Sequence, residues 1–238
     1  MSKYFDIPQR SELWDQARLG ICTASQADTI ITPLGKETSK DKWQRYAHKL
    51  IAEKIMKRRV DSSIASSPWI ERGELLEGEA VAYYEAQTGK DTNLICFVTT
   101  DDGLSGCSPD RLVGTDGLLE IKVPAPHTQI GYFLRGKLEE QYTPQLQMQL
   151  YVTGRKYVDI LSYSPDFPDH VIITVERHEA FIACLDTLLK RFNDYVHNGV
   201  LELAERWKGI NRVPDALEDF FSSNDVPEIR NAQTLLAG

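Results

Sequence analysis

Asp116-Gly117 stands between two short apolar runs, the strongest local signal a chain gives for a tight antiparallel hairpin. A hairpin fixes register, and register fixes faces, because residues two apart on a strand point the same way. Asp110 then opens one strand. Glu120 and Lys122 emerge together from the next, while Ile121 turns the other way, into the core. Two carboxylates brought close by one hairpin make a hard-oxygen site suited to Mg²⁺, which takes few carboxylates and keeps several waters. A lysine alongside offsets charge on a hydroxide or on a phosphoryl group. An acid and a lysine two apart on a strand also read as a solvated ion pair. Pro109-Asp110, ten residues earlier, favours the chemical reading.

The chain has 238 residues, enough for one large domain or one domain with a tail, and 42% of them are hydrophobic, enough for a substantial core. No apolar run approaches the roughly 18 residues that span a bilayer, and Met1–Asp6 lacks a signal-peptide core. Cys22, Cys96, Cys107 and Cys184 are scattered without CxxC or zinc spacing, so they are expected as reduced thiols of a cytoplasmic protein. A formal charge of −8 argues against a uniformly basic DNA-binding surface. The charge is uneven, however. Lys36, Lys40, Lys42, Arg45, Lys49, Lys54, Lys57, Arg58 and Arg59 crowd one quarter of the chain, as a DNA channel or a solvated helix face requires.

Along the chain, Ser11–Ala17 predicts a brief helix, and Thr23 or Ser25 a cap for a helix beginning near Gln26. Arg18 just before that N-terminus makes an anion site physically reasonable; a plain capped turn is the competing reading. Helices are expected over Asp41–Arg58 and over Pro68–Gln87, the latter stopped by Gly89, with a linker of mostly small residues over 61–67. On the second of these helices Glu77 shares a face with Gly73, Ala80, Val81 and Tyr84, where an unpaired charge is costly. Either an ion pair or a metal site accounts for it. Leu94–Thr99 predicts a strand before the hairpin. Thr128–Arg135 and Glu140–Val152 predict helices, with Gln147 and Tyr151 on one face of the second. Tyr157–Tyr163 and Val171–Glu176 predict antiparallel strands, and a long amphipathic helix follows, striped by Phe181, Leu185, Leu188, Leu189, Phe192, Tyr195 and Val196. The order predicts an α/β fold with a mixed central sheet flanked by helices.

Five blocks in order give this pattern a family likeness: Arg18-Leu19-Gly20-Ile21-Cys22-Thr23-Ala24-Ser25; Arg72-Gly73 with Glu77; Cys107-Ser108-Pro109-Asp110; Leu119-Glu120-Ile121-Lys122-Val123-Pro124; and Gln145-Leu146-Gln147-Met148-Gln149-Leu150-Tyr151. From about Trp14 to Glu176 the chain resembles the lambda-exonuclease branch of the PD-(D/E)xK nucleases, the YqaJ-type viral recombinases. The resemblance implies a restriction-endonuclease-like core over residues 1–208, with 209–238 an extension to which nothing transfers. It implies an exonuclease of phage origin, dependent on Mg²⁺ (with Mn²⁺ as a substitute), that digests one strand of linear duplex DNA processively from its 5′ end. It implies a homotrimeric ring and an annealing protein that receives the 3′ single strand. By the same resemblance Asp110, Glu120 and the carbonyl of Ile121 hold the metal, Lys122 positions the attacking water, and Glu77 assists through a water on the metal. Arg18, Ser25, Ser108 and Gln147 receive the terminal 5′-phosphate. Two other readings share the fold: a non-catalytic protein binding DNA ends or the annealing partner, and an endonuclease or junction resolvase. Retention of Asp110, Glu120 and Lys122 argues against the first.

Overall fold

Short strands alternate with longer helices in the order β1 (Lys3–Phe5), α1 (Glu12–Ala17), β2 (Cys22–Thr23), a 3₁₀ helix (Ala24–Thr29), α2 (Lys40–Met56), α3 (Pro68–Thr88), β3 (Thr92–Leu94), β4 (Phe97–Thr99), β5 (Ser105–Cys107), β6 (Arg111–Val113), β7 (Gly117–Lys122), α4 (Pro126–Arg135), a second 3₁₀ helix (Glu140–Tyr142), α5 (Thr143–Thr153), β8 (Tyr157–Ser162), β9 (Val171–Glu176) and α6 (Glu179–Trp207). The computed structural model describes residues 2–9, 11–60, 68–137 and 139–208, and the backbone alone at 68–70. The expected linker over 61–67 and the extension over 209–238 lie outside the described residues.

The strands form two sheets. The larger has the order β3-β6-β7-β8-β9, with β7 and β8 parallel and the other neighbours antiparallel. A parallel pair needs a crossover, and residues 123–156 supply one through α4 and α5. The smaller sheet has the order β1-β4-β5-β2. The single strand expected over Leu94–Thr99 is in fact two, because the chain leaves the larger sheet at Leu94 and enters the smaller at Phe97.

The two faces of β7 explain its sequence. Leu119 packs with Ala80 and Tyr84 of α3 and with Leu161, and Ile121 lies against the same cluster. Leu118 faces the other way, with Leu146 and Leu150 of α5 and Val158 and Ile160 of β8. Glu120 and Lys122 continue the Leu118 face, toward α5. Helix α5 is covered nearly all round, because Met148 and Val152 join Ala24, Ala27 and the stripe of α6 in a third cluster. There Trp43 meets Phe192 edge-on at 5.2 Å, and Tyr46 stacks on the same ring at 5.3 Å.

The turn of the hairpin differs from the Asp-Gly expectation. Val113 pairs with Gly117, so the loop is 114–116, and Gly114 supplies the left-handed residue at φ +49°. Gly117 answers another need: a Cβ there would lie 2.3 Å from the Tyr157 ring of β8. Arg155, itself buried, ties the turn down, its Nη1 donating to Gly114 O at 2.9 Å and Gly117 O at 2.7 Å. Helix α5 begins at Thr143 rather than Glu140, after a separate 3₁₀ turn.

Candidate active site

The β6–β7 pairing ends at Arg111 opposite Leu119, so on that side of β7 Ile121 has no strand partner. Asp110 fills the gap with its side chain, Oδ2 accepting from the Ile121 N–H at 2.6 Å. That bond brings the acid of Pro109-Asp110 to the side of the Glu120-Ile121-Lys122 strand. Burial, and then the charge of Glu120, hold the Asp110 carboxyl well above its ordinary 3.8, with Glu77 adding to the effect and Ile121 N–H and Lys122 opposing it.

Glu120 is 5% exposed, and both of its carboxylate oxygens accept hydrogen bonds. Its Oε1 accepts from Lys122 Nζ at 2.6 Å and from Gln145 Nε2 at 2.6 Å, and its Oε2 accepts from Gln149 Nε2 at 2.7 Å. Burial pulls the Lys122 ammonium down, but the charge and hydrogen bond of Glu120, with Asp110 and Tyr142 behind it, raise it overall. The ammonium also lies 5.2 Å from the centre of the Tyr142 ring. Glu77 stands near this group but is taken by Arg111, whose Nη1 donates to Glu77 Oε1 and to Asp110 O, both at 2.6 Å. Of the two readings for that acid, the ion pair is therefore present.

Among the described residues no group of three or more His, Cys, Asp or Glu side chains surrounds one point. The oxygen donors here are two carboxylates, Asp110 just ahead of β6 and Glu120 on β7. Mg²⁺ commonly takes one or two carboxylates and keeps its waters, so the pair fits such an ion better than a site demanding an all-protein cage.

A second cluster adjoins the first. Trp14 Nε1 donates to Ser108 Oγ at 3.1 Å and to Cys96 O at 3.2 Å, and the Arg18 guanidinium lies 3.8 Å above the Trp14 ring. Arg18 Nε is buried with no hydrogen-bond partner among the described residues. Burial, and then the charge of Arg59, lower Arg18 from 12.5 to about 10. The charge of Asp15 opposes that shift only in part. Ser25 is exposed and reaches the same end of the smaller sheet, since Thr23 pairs in parallel with Gly106 and Ser25 and Ser108 each follow by two residues. The predicted helix behind Ser25 is a 3₁₀ helix of six residues, and no side chain caps it, so the dipole argument for an anion lapses while the arginine remains. Cys107 links the clusters: burial pushes its thiol up, the charge of Glu120 adds to that, and Arg18 opposes it.

Among the described residues the amide of Gln147 bonds to neither cluster. Its Nε2 donates to Glu176 O at 2.8 Å and its Oε1 accepts from His178 N at 2.9 Å, so its amide holds the β9–α6 junction. Tyr151, expected on the same face, likewise reaches α6 at Asp186 Oδ1, 2.8 Å away. Residues two apart on a helix diverge by about 200°. Gln145 and Gln149 therefore face β7, and they are the glutamines that touch Glu120. Two amides four apart in an otherwise apolar helix were the signal for them.

Residues 13–156 match the YqaJ-like viral recombinase domain, more than half of the chain. The chain belongs to the YqaJ-like viral recombinase family. Its structure resembles the alkaline exonuclease LHK-Exo of Laribacter hongkongensis, with a TM-score of 0.73 and 29% identity over 82% of this chain and 97% of that one. The same enzyme in complex with dAMP matches at 0.73 with 30% identity over the same shares. A phage-related exonuclease from Haemophilus somnus 129PT shares the fold, with a TM-score of 0.55, 12% identity and coverage of 84% and 97%. None of the curated proteins compared with this recombinase-family chain matches it. The family and these neighbours support a nuclease function.

Proposed function

We propose that this protein is a Mg²⁺-dependent exonuclease that digests one strand of linear duplex DNA processively from the 5′ end, leaving a 3′ single strand for recombination by annealing. The observation that carries the reading is the 2.6 Å bond from Ile121 N–H to Asp110, which sets that acid beside Glu120 and Lys122. A nuclease needs a doubly acidic metal site with a cation next to it, and these three side chains are such a set. The likeness to LHK-Exo, which is named an alkaline exonuclease, supports the inference.

When bound, Mg²⁺ supplies Lewis acidity toward the scissile phosphate and lowers the pKa of water. Asp110, Glu120 and the carbonyl of Ile121 would hold it. Lys122 orients the attacking water and offsets negative charge growing on the phosphoryl oxygens. Water oxygen bonds to phosphorus, the bond to the 3′ oxygen of the departing nucleotide breaks, that oxygen takes a proton, and the shortened strand keeps a 5′-phosphate. Arg18, with Ser25 and Ser108 beside it, receives this new phosphate; the unpaired Nε of Arg18 supports that role. Glu77 acts at one remove, restrained by Arg111. Cycling between release and capture of a terminal phosphate is what makes digestion processive. A homotrimeric ring, an annealing partner, phage origin and action in the cytoplasm complete the proposal. No helix among the described residues is long and apolar enough to cross a membrane.

The test is digestion of linear and of closed circular duplex, with and without Mg²⁺, on 5′-phosphate and 5′-hydroxyl ends. Mononucleotides released from linear DNA in Mg²⁺ alone are expected, faster from phosphorylated ends. Cutting of circles indicates an endonuclease, and binding of ends without release of nucleotides indicates a non-catalytic protein.

A further inference from the structure

Three hydrogen bonds hold the Glu120 carboxylate, and their arithmetic is uneven. A carboxylate oxygen offers two lone-pair directions. Oε1 receives Lys122 Nζ and Gln145 Nε2 and is filled, whereas Oε2 receives Gln149 Nε2 and keeps one direction open. We propose that Gln145 and Gln149 are positioning residues that fix which oxygen, and which lone pair, Glu120 presents to the catalytic centre. The proposal deepens the nuclease reading above and rests on it.

Both amides are oriented by their surroundings. Gln145 Oε1 accepts from Lys122 Nζ at 3.4 Å, so a reversed amide would set its NH₂ against the ammonium and its oxygen against Glu120. Reversing Gln149 would likewise oppose two acceptors. Gln149 is 1% exposed between Met148 and Leu150, and its Oε1 has no hydrogen-bond partner among the described residues. An orphaned buried acceptor destabilises a fold. A methionine would fill the same space without one. What the glutamine contributes is its donor to Glu120. The terminal torsion of a glutamate is otherwise broad, and a carboxylate that swings spends little time in a productive pose.

The experiment compares wild type with Gln149→Met and Gln145→Ala. Three quantities are measured: Mg²⁺ affinity by calorimetry without DNA, melting temperature without metal, and kcat and KM on linear duplex. Loss of groups that orient a metal ligand costs about 10- to 100-fold in metal affinity or activity. The expected result is a fall of that size in kcat and a weaker Mg²⁺ affinity, with KM for DNA unchanged and the melting temperature of Gln149→Met not lowered. In a Glu120→Gln background, Gln149→Met should weaken Mg²⁺ binding no further, since both changes act on one carboxylate. Wild-type kcat and Mg²⁺ affinity in both variants overturn the proposal. So does a lowered melting temperature in Gln149→Met with wild-type kcat in Gln145→Ala, which assigns the glutamines to packing. A wild type that neither binds Mg²⁺ nor digests DNA removes the nuclease reading and this one with it; an active wild type matched by both variants removes this one alone.

Discussion

Asp110→Asn should make the metal-free protein more stable while abolishing its activity. The asparagine carbonyl can still accept from Ile121 N–H, the bond that is 2.6 Å long in the native protein. Exchanging a charge-assisted bond for a neutral one costs about 1 kcal/mol. Against this, two carboxylates at close range repel by about 4 kcal/mol at a partly screened dielectric, and a lysine as close as Lys122 offsets roughly half of that. The balance is a gain of about 1 kcal/mol, or about 2–4 °C in melting temperature for a chain of this size. The effect has a pH signature. Burial and Glu120 raise the Asp110 carboxyl above its ordinary 3.8, so the native state holds this proton more tightly than the unfolded chain. Where the native state binds more protons, stability falls as pH rises. Wild type and variant should therefore melt alike near pH 3.8 and below, and the variant should gain its advantage as pH rises through the raised value. Melting curves in chelator at steps from pH 4 to pH 8 test this. Adding Mg²⁺ should then raise the melting temperature of wild type and leave Asp110→Asn unmoved. A variant that melts below wild type at pH 8 without metal, by a margin independent of pH, refutes the account of a strained acid pair.

Lys122→Ala should retain its fold and DNA binding but lose about 10²-fold or more in kcat, as expected when one charge partner of the transition state is removed, and single-turnover cleavage is the check. Arg18→Ala should keep its Mg²⁺ affinity by calorimetry yet digest 5′-phosphorylated ends about ten- to hundredfold more slowly, near the rate on 5′-hydroxyl ends, since a bond to a charged group is worth about 1.5–3 kcal/mol. Gly117→Ala forces a methyl group to within 2.3 Å of the Tyr157 ring, so its urea midpoint should fall; a Gly117→Ala, Tyr157→Ala double variant should recover part of the loss.

Much of the site was legible because it lies on one strand. The alternation of Leu118, Leu119, Glu120, Ile121 and Lys122 assigns each side chain its face without knowledge of what covers it, and the structure agrees at every position. The stripe of α6 and the stop at Gly89, with φ +67°, were similarly local. What the sequence hid was long-range. Leu94–Thr99 is nearly all apolar, so its composition does not mark the point between exposed Leu94 and buried Phe97 where the chain changes sheets. The partner of Glu77 is Arg111, thirty-four residues away, and nothing in a helical stripe names it. Among Gln145, Gln147 and Gln149, periodicity separates two faces but cannot say which one meets β7. That depends on how α5 is wedged between the larger sheet and the Ala24–Thr29 turn.

The parallel pairing of β7 with β8 sets an order on assembly. Asp110 and Glu120 are joined through a hairpin whose loop is three residues, so their meeting costs little chain entropy and is within reach of the polypeptide as soon as Lys122 has been made. The glutamines arrive only with α5, and β8 closes on β7 only after all of residues 123–156 have been threaded across the sheet. The acids thus have a far shorter loop to close than the glutamines that restrain Glu120. A chain in which only the hairpin had formed would hold these two like charges in water, where screening makes the contact tolerable; the low-dielectric setting comes with α5 and β8.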